Sequence, residues 1–282
     1  IEVQNLETFD FSKANITFFS AGGKVSEKYA PIAAKHSTVI DNSSFFRMDP
    51  DVPLIVPQVN VGDIKSIKKN IIANPNCSTA QLVIVLKPLH DFFNIKRVVV
   101  STYQSTSGAG KAPMDELIEQ TKLFLERKKI TSKNFTKQIA FNAIPHIDSF
   151  DENGYTKEEI KMINETKKIL DNDIELTATC VRIPVLVSHS ESLNIEFEKA
   201  FTVEKIREVL DAADGCKVID ERKDGGYITP CEAEGKNETF ISRIRKDNSK
   251  KNSVNLWIVS DNLLRGAALN AVEIAEVFCN NN

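Results

Sequence analysis

Apolar positions in the first part of the chain alternate between short β-type runs and longer helical patterns. The predicted strands are NITFFS (15–20), STVIDNSS (37–44), PLIVPQV (53–59) and KRVVVSTYQ (96–104). The helices predicted among them and after them lie at residues 25–36, 77–93 and 114–129. Strands that alternate with helices in this way indicate a parallel α/β sheet.

From residue 138 onward the pattern changes to longer strands with few helices between them. The predicted strands are QIAFNAIP (138–145), IELTATCVRIPV (174–185), SLNIEFE (192–198), KVIDER (217–222), TFISRIRKD (239–247) and SVNLWIVSD (253–261). The predicted helices lie at 157–170, 202–213 and 261–278. In the first of these helices, Thr156 is the natural N-cap and Glu159 completes a capping box. The part of the chain after residue 138 is therefore predicted to be a strand-rich α+β structure.

Composition narrows the class of protein. The chain has 282 residues, 41% of them hydrophobic and 27% charged, with a net charge of −3, as in an ordinary soluble globular protein of one or two domains. It shows no basic stripe interleaved with aromatic residues and no apolar run of transmembrane length, so we expect neither nucleic acid nor membrane as a partner. The five cysteines are scattered without CxxC spacing, which argues against disulfides and metal sites and for a cytoplasmic protein.

The segment NPNCSTAQ (74–81) places Cys77 between a Pro-Asn turn and the start of an apolar helix. The N-terminus of a helix presents unpaired N–H groups and the positive end of the helix dipole. A thiol held there loses its proton more readily and becomes a nucleophile. The alternative is that Cys77 is a small buried hydrophobic residue, as most single cysteines are.

Two glycine-rich turns invite a phosphate-binding interpretation. SAGG (20–23) lies between a predicted strand and a predicted helix, where backbone N–H groups can hold a phosphate, although a simple βα turn explains it equally well. SGAGK (107–111) does not match the P-loop pattern, because Ser105 stands where the first glycine belongs and Ala112 where serine or threonine belongs. Kinase or ATPase chemistry is therefore not indicated.

A cysteine nucleophile commonly works with a base, and the chain has only four histidines. His189 follows Arg182 by seven residues, a spacing that would put the two side chains on opposite faces of one unbroken strand. Pro184 lies between them, and a bend there would turn both toward one cavity. A histidine on a strand is more often structural, and this alternative stays open.

Six segments, taken together, resemble the successive motifs of the aspartate-β-semialdehyde dehydrogenase family, in that family's order and nearly from end to end. They are IDNSSFFRMDPDVPLIVPQVN, NPNCSTAQ, STYQSTSGAG, YTKEEIKMINETKKIL, RIPVLVSHSES and DNLLRGAALNAVEIAE. The chain departs from the family at Leu264, where many members carry a basic residue. The family also opens with a GxxGxxG turn and a later phosphate-binding turn, both of which would precede Ile1, so we expect this N-terminal segment to be missing from the chain.

The resemblance implies an α/β fold with a Rossmann-like, parallel-sheet cofactor domain, incomplete at its N-terminus, and an α+β catalytic and dimerisation domain. The domains expected from it are residues 1–76 for cofactor binding, 77–261 for catalysis and dimerisation, and 262–282 as a C-terminal helix returning to the cofactor domain. A homodimer or homotetramer is expected. The implied reaction is the NADPH-dependent reductive dephosphorylation of L-aspartyl 4-phosphate to L-aspartate 4-semialdehyde, in the biosynthesis of lysine, diaminopimelate, threonine and methionine.

The resemblance also implies roles for individual residues. Cys77 would form the thioester, His189 would be the acid–base residue, and Gln104 would position the acyl group. The expected substrate-binding residues are Arg182 for the α-carboxylate, Glu158 for the amino group, Arg47 and Lys161 for the phosphate, and Asn76 beside the thiol. The residues expected to bind NADP are Ser20, Ala21, Gly22, Gly108 and Asn262. For the pair Glu158 and Lys161, an ordinary helical ion pair is the alternative, and for Arg47 a surface charge.

Three rival functions remain open at this stage. The first is a related acyl-phosphate reductase, such as N-acetyl-glutamyl-phosphate reductase, although an acetylated amine would offer Glu158 no cation to bind. The second is a thiol hydrolase or acyltransferase that uses no nicotinamide. The third is a protein of the family that has lost its activity.

Overall fold

The computed structural model describes residues 2–281 and divides the chain into two compact units. Unit 1 comprises Ile1–Pro75 together with Asn270–Asn282, and unit 2 comprises Asn76–Leu269. The assignment of cofactor binding to the first part of the chain and of catalysis to the second stays a prediction. Among the described residues, the structure contains no helix with both the length and the apolar character needed to cross a bilayer.

Unit 1 is built on a parallel sheet of three described strands in the order β1-β2-β3. The strands are β1 (Ile16–Phe19), β2 (Thr38–Asp41) and β3 (Ile71–Ala73), and the helices are α1 (Gly23–Ala33) and α2 (Pro57–Asn60). Helix α1 connects β1 to β2. These strands pair in parallel, with Ile16 of β1 opposite Thr38 of β2. Ile40 and Ile72 from the sheet pack with Ala271 and Ile274 of the last helix, α8 (Leu269–Asn281), to form the core of this unit.

The strand predicted at PLIVPQV is wrong. Only Leu54 makes an isolated parallel bridge, to Ala73, and helix α2 begins at Pro57. Proline has no N–H for a strand ladder, and its fixed φ suits the first turn of a helix. Leu54, Ile55 and Val56 are buried, but as irregular chain beside β3.

Unit 2 contains a mixed sheet of six described strands in the order β5-β4-β6-β9-β8-β7. The strands are β4 (Ile95–Gln104), β5 (Glu175–Arg182), β6 (His189–Phe197), β7 (Cys216–Val218), β8 (Thr239–Lys246) and β9 (Ser253–Ser260). The helices are α3 (Cys77–Phe93), α4 (Lys111–Leu125), α5 (Lys157–Ile169), α6 (Val203–Asp211) and α7 (Pro230–Ala233). Leu86 of α3, Met162 of α5 and Ile206 of α6 meet Ile195 of the sheet in one buried core. The mixed α/β class is confirmed.

Two further predictions in unit 2 need correction. QIAFNAIP forms no strand: Ile144 makes only an isolated bridge to Arg182, and Gln120 of α4 accepts the backbone N–H groups of Ile139 and Ala140. A buried side chain therefore replaces a strand partner for this segment. The helix predicted at 261–278 begins later, because residues Leu264–Ala268 form a π-helical turn before α8.

The capping box predicted at the start of α5 is confirmed. Glu159 N–H donates to Thr156 Oγ1 at 3.4 Å, and the Glu159 carboxylate accepts the Thr156 N–H at 2.7 Å. The second oxygen of Glu159 accepts the Cys180 N–H at 2.9 Å, which ties the helix to β5. The register of α5 is thereby fixed, and Glu158 is left on the neighbouring face.

Candidate active site

Cys77 is the first residue of α3, as the sequence predicts, and it is partly exposed. Asn76 is the N-cap, and its Oδ1 accepts the N–H groups of Ser78 at 3.0 Å and Thr79 at 3.3 Å. These bonds satisfy two of the unpaired donors of the first turn and fix the backbone on both sides of the thiol. The cysteine therefore lies at the positive end of a well-anchored helix dipole.

Gly266 packs directly against Cys77. A Cβ built on residue 266 would lie 2.6 Å from Cβ of Cys77 and 3.0 Å from its Cα, so only glycine fits there without a shift. Gly266 belongs to the π-helical turn before α8, a type of irregularity that often occurs at functional sites. Our sequence analysis missed this residue, and the run of small residues GAA (266–268) was the available signal.

Glu158 joins the start of α3 to the end of β4. Its Oε1 accepts the Asn76 side-chain amide at 2.9 Å and the Gln104 amide at 3.2 Å, while Gln104 also donates to the Ser78 hydroxyl. Its Oε2 lies 3.3 Å from Nζ of Lys161. Three residues that were expected to bind substrate or position the acyl group, Asn76, Gln104 and Glu158, are therefore in direct contact.

Lys161 lies between two carboxylates. Its Nζ is 2.8 Å from Asp148 and 3.3 Å from Glu158. Burial lowers the pKa of Lys161, but the charges of Glu158 and Asp148 outweigh this effect, so the pKa is raised overall. Lys161 therefore remains a cation at the edge of the site.

Arg182 and His189 converge although their spacing along the chain is odd. They do not share a strand: Arg182 ends β5 and His189 begins β6, and these strands flank β4 on opposite sides. Arg182 Nη1 donates to the Ser105 carbonyl at 2.6 Å, and the Ser105 N–H donates to His189 Nδ1 at 3.1 Å. The bend expected near Pro184 is confirmed, and Ser105, which the sequence analysis did not select, connects the two side chains.

Gly108 lies against the same pair. A Cβ built there would be 3.0 Å from Cε1 and Nε2 of His189 and 3.1 Å from Nη1 of Arg182. A side chain at this position would displace both functional groups. Glycine at residue 108 therefore leaves room beside the imidazole and the guanidinium group.

The imidazole of His189 is fully buried and uncharged. Burial, together with the nearby charge of Arg182, lowers its pKa to about 3. Because Nδ1 accepts the Ser105 N–H, the single proton of the neutral ring is on Nε2. Nε2 has no hydrogen-bond partner among the described residues. His189 is therefore arranged as an N–H donor at Nε2.

Arg182 is almost completely buried as well. Burial lowers its pKa overall, although the negative charges of Glu158 and of a Cys77 thiolate offset part of this effect. A buried arginine of this kind remains protonated and can bind a carboxylate through two parallel hydrogen bonds.

Asn262 holds three segments of the site together. Its Oδ1 accepts hydrogen bonds from the hydroxyl groups of Ser105 at 3.1 Å and Ser107 at 3.0 Å, and from the Ser188 N–H at 2.9 Å. This side chain therefore fixes the loop after β4 and the residue before His189. Its expected contact with the nicotinamide stays a prediction.

Glu165 is a second residue that the sequence analysis missed. It is 1% exposed, and its Oε2 accepts the backbone N–H of Asn76 at 2.7 Å. Glu158 and Glu165 are seven residues apart, which is two turns of α5, so both reach the start of α3 from one helix face. That helical spacing was the available signal.

The remaining predicted site residues belong to unit 1. Ser20, Ala21 and Gly22 connect β1 to α1, and Arg47 is buried, donating through Nε to the Asn74 carbonyl at 2.8 Å. Gly22 has a φ of 91° and leaves the first turn of α1 without a side-chain cap. A Cβ built on Gly22 would meet nothing within 4 Å. An open glycine turn at a helix N-terminus fits a phosphate of a dinucleotide.

Comparisons with known proteins match both parts of the chain. The family model described as semialdehyde dehydrogenase, NAD binding domain, matches residues 1–67, and the model described as semialdehyde dehydrogenase, dimerisation domain, matches residues 86–265. Aspartate-semialdehyde dehydrogenase of Aquifex aeolicus is 54% identical over 95% of this chain and 80% of its own length. The enzyme of that name from Rickettsia bellii is 50% identical over 98% of this chain and 82% of its own length.

Solved structures give the same result. The crystal structure of aspartate semialdehyde dehydrogenase II of Vibrio cholerae, described as complexed with ASA, superposes with a TM-score of 0.96 at 46% identity, covering 98% of this chain and 83% of that one. An aspartate semialdehyde dehydrogenase of Candida albicans, described as a structure with NADP, superposes with a TM-score of 0.75 at 25% identity, covering 99% of this chain and 81% of that one.

Proposed function

Because this chain belongs to the aspartate-semialdehyde dehydrogenase family, we propose that it reduces L-aspartyl 4-phosphate to L-aspartate 4-semialdehyde through a thioester on Cys77. One observation carries the mechanism: Cys77 begins a capped helix in the unit where Arg182 and His189 converge on Ser105. A nucleophile, a buried cation and an N–H donor are the groups that acyl transfer to sulfur requires.

Cys77 acts as the nucleophile. Its thiolate attacks the acyl carbon, a C–S bond forms, and the C–O bond to phosphate breaks with its electron pair leaving on the phosphate. The helix N-terminus and the Arg182 charge favour the thiolate before attack. When the aldehyde is released, the C–S bond breaks and sulfur leaves as the same stabilised thiolate.

His189 stabilises the oxygen that becomes negative in the tetrahedral states. Its Nε2–H is the free donor of a neutral ring, and its Nδ1 is occupied by the Ser105 N–H. This arrangement favours hydrogen-bond donation by His189 over the acid–base proton transfer expected from the sequence. Gln104, held between Ser78 and Glu158, positions the acyl group.

Two residues bind the amino-acid end of the substrate. Arg182 uses one of its five N–H donors on the Ser105 carbonyl, and its fork binds the α-carboxylate. Glu158 binds the α-ammonium group of the substrate. Its carboxylate already pairs with one cation, the ammonium group of Lys161, at 3.3 Å. Asn76 supports Glu158 beside the thiol. Lys161 and Arg47 bind the phosphate.

The residues assigned to cofactor binding in this proposal are Ser20, Ala21, Gly22, Gly108 and Asn262. A nicotinamide cofactor, when bound, supplies the hydride that reduces the thioester. We assign NADP rather than NAD, a choice that the NADP named for the Candida albicans relative supports. The dimerisation-domain match supports a homodimer or a homotetramer of this chain, which light scattering would distinguish.

The reverse reaction provides the test. Purified protein, aspartate semialdehyde and phosphate should reduce NADP, with a lower kcat/KM for NAD, and Cys77→Ala should abolish the reaction. Turnover that needs no phosphate or no nicotinamide would indicate a thiol hydrolase or acyltransferase. A preference for N-acetyl-glutamate semialdehyde would indicate the related reductase and would remove the role of Glu158.

A further inference from the structure

The residue before the nucleophile is bound through three separate groups. Asn76 accepts the N–H groups of α3 with its Oδ1, donates its side-chain amide to Glu158 and donates its backbone N–H to Glu165. The first contact lies within α3, whereas the other two come from helix α5. The position of the Cys77 backbone therefore depends on a second helix, 80 or more residues further along the chain.

Of the two contacts from α5 to Asn76, the one from Glu165 reaches the backbone. The bond from Asn76 N to Glu165 Oε2 is 2.7 Å long, and the amide that donates it is one residue from Cys77. The carboxylate is 1% exposed, so water does not compete for this bond. A charge-assisted hydrogen bond in such a site is short and directional, and it constrains the peptide between Pro75 and Asn76, immediately before the residue that caps α3.

Gly266 lies in close contact with Cys77 itself. The backbone of residue 266 lies so close that a Cβ there would be 2.6 Å from Cβ of Cys77. Glycine at residue 266 therefore permits this close approach, and a side chain there would push Cys77 out of place. A shift of the Asn76 backbone away from Glu165 would break the bond between them. Both contacts restrict the backbone that carries the thiol.

We infer that Glu165 is a positioning residue for the Cys77 nucleophile, acting through the backbone N–H of Asn76. The inference deepens the proposed function and rests on it for the identity of the nucleophile. Glu165 acts on the thiol through the backbone of Asn76, the N-cap that precedes Cys77. Its loss displaces the thiol from its attack geometry, and a displacement of about 1 Å can cost on the order of 100-fold in rate.

Two substitutions separate geometry from charge. Glu165→Gln keeps an acceptor oxygen at the same reach, so kcat should stay within about three-fold of wild type. Glu165→Asp keeps the charge but withdraws the oxygen by one methylene, so kcat should fall about 10- to 100-fold, with KM for aspartate semialdehyde within about two-fold. Iodoacetamide should alkylate Cys77 at close to the wild-type rate in Glu165→Gln and more slowly in Glu165→Asp.

Glu159 supplies the matched control. It is another buried carboxylate of the same helix, and it bonds to Thr156 and Cys180 rather than to Asn76. Glu159→Ala should lower the melting temperature while kcat and Cys77 alkylation stay at wild-type values. Equal kcat and alkylation for Glu165→Asp and wild type would overturn the inference, and so would a Gln variant as slow as the Asp variant. If wild type lacked dehydrogenase activity, the proposed function would fail, whereas alkylation would still test the positioning role.

Discussion

Ser105 holds the imidazole of His189 by donating its backbone N–H to Nδ1, so the proton of the neutral ring is on Nε2. Nε2 has no partner among the residues that the structure describes. The ring is therefore oriented by the chain on one edge and available as a donor on the other. This relationship decides what His189 can contribute to the reaction.

Two variants of His189 test the donor role. Glutamine can place an N–H donor near the position of Nε2, whereas asparagine is too short to do so and can only accept the Ser105 N–H. We expect His189→Gln to retain more kcat than His189→Asn, by about 10-fold or more, because losing one donor to a developing oxyanion costs about 100- to 1,000-fold. Steady-state kinetics at pH 7–8 would measure this. Equal losses in both variants would favour proton transfer by His189 instead.

The buried His189 should make the protein less stable in acid. Its folded-state pKa of about 3 lies below the ordinary histidine pKa of 6.5, so the unfolded chain binds more protons between these values. The contribution to stability is therefore full above about pH 6.5 and is lost as the pH falls toward 3, with a slope of up to about 1.4 kcal/mol per pH unit. Urea unfolding of His189→Gln from pH 7.5 to 4.5 should show a shallower decline than wild type, and an identical decline would contradict the burial argument.

Cys77 should react with iodoacetamide faster than the other cysteines. Burial raises the pKa of Cys180 and raises that of Cys216 to about 12, so both should be inert. Cys231 and Cys279 are exposed, but Cys279 lies near the end of α8, and Cys231 lies in the four-residue helix α7, whose dipole sums over far fewer peptides than that of the 17-residue α3. Peptide mapping after brief labelling should find Cys77 modified at least about 10-fold faster, with protection by aspartate semialdehyde. Uniform labelling of the accessible cysteines would remove the nucleophile assignment.

The adjacent residues Glu158 and Glu159 should have separable functions. Glu158→Gln keeps an acceptor for Asn76 but removes the charge that binds the substrate ammonium, so KM for aspartate semialdehyde should rise about 10-fold or more. Glu159→Ala removes the capping box and should lower the free energy of unfolding by about 1 kcal/mol with little change in KM. Steady-state kinetics and denaturant titration of both variants would measure these effects. A raised KM in Glu159→Ala together with lower stability alone in Glu158→Gln would show that the roles are reversed.

Gly266→Ala should impair Cys77 through steric overlap. The added methyl group would lie 2.6 Å from Cβ of Cys77, so the backbone must shift, at a cost of about 1–3 kcal/mol in stability. We expect kcat to fall more than KM changes. Gly62→Ala is the control, because a Cβ there meets nothing within 4 Å, and it should be neutral in both measurements. A fully active Gly266→Ala enzyme would show that the contact does not restrain the nucleophile.

The sequence by itself determined the features that neighbouring residues encode. Asn76 and Cys77 mark the start of α3, and Thr156 and Glu159 identify the exact residue at which α5 begins. Both starts can be predicted because capping bonds close within one helical turn. The motif order likewise pointed to the family, and to Arg182 and His189 as partners of the thiol. PLIVPQV failed as a strand because an apolar run indicates burial without specifying a ladder partner.

Only the tertiary structure decided how the site is assembled. Arg182 and His189 meet because β4 lies between their strands and Ser105 follows β4, an order that no local pattern contains. Glu165 reaches Asn76 across 89 positions of the chain, and Gly266 lies against Cys77 after five more strands and two more helices. Such contacts depend on sheet order and helix packing, which arise from burial of the whole core, whereas caps and periodicity depend on residues within a turn or two of each other.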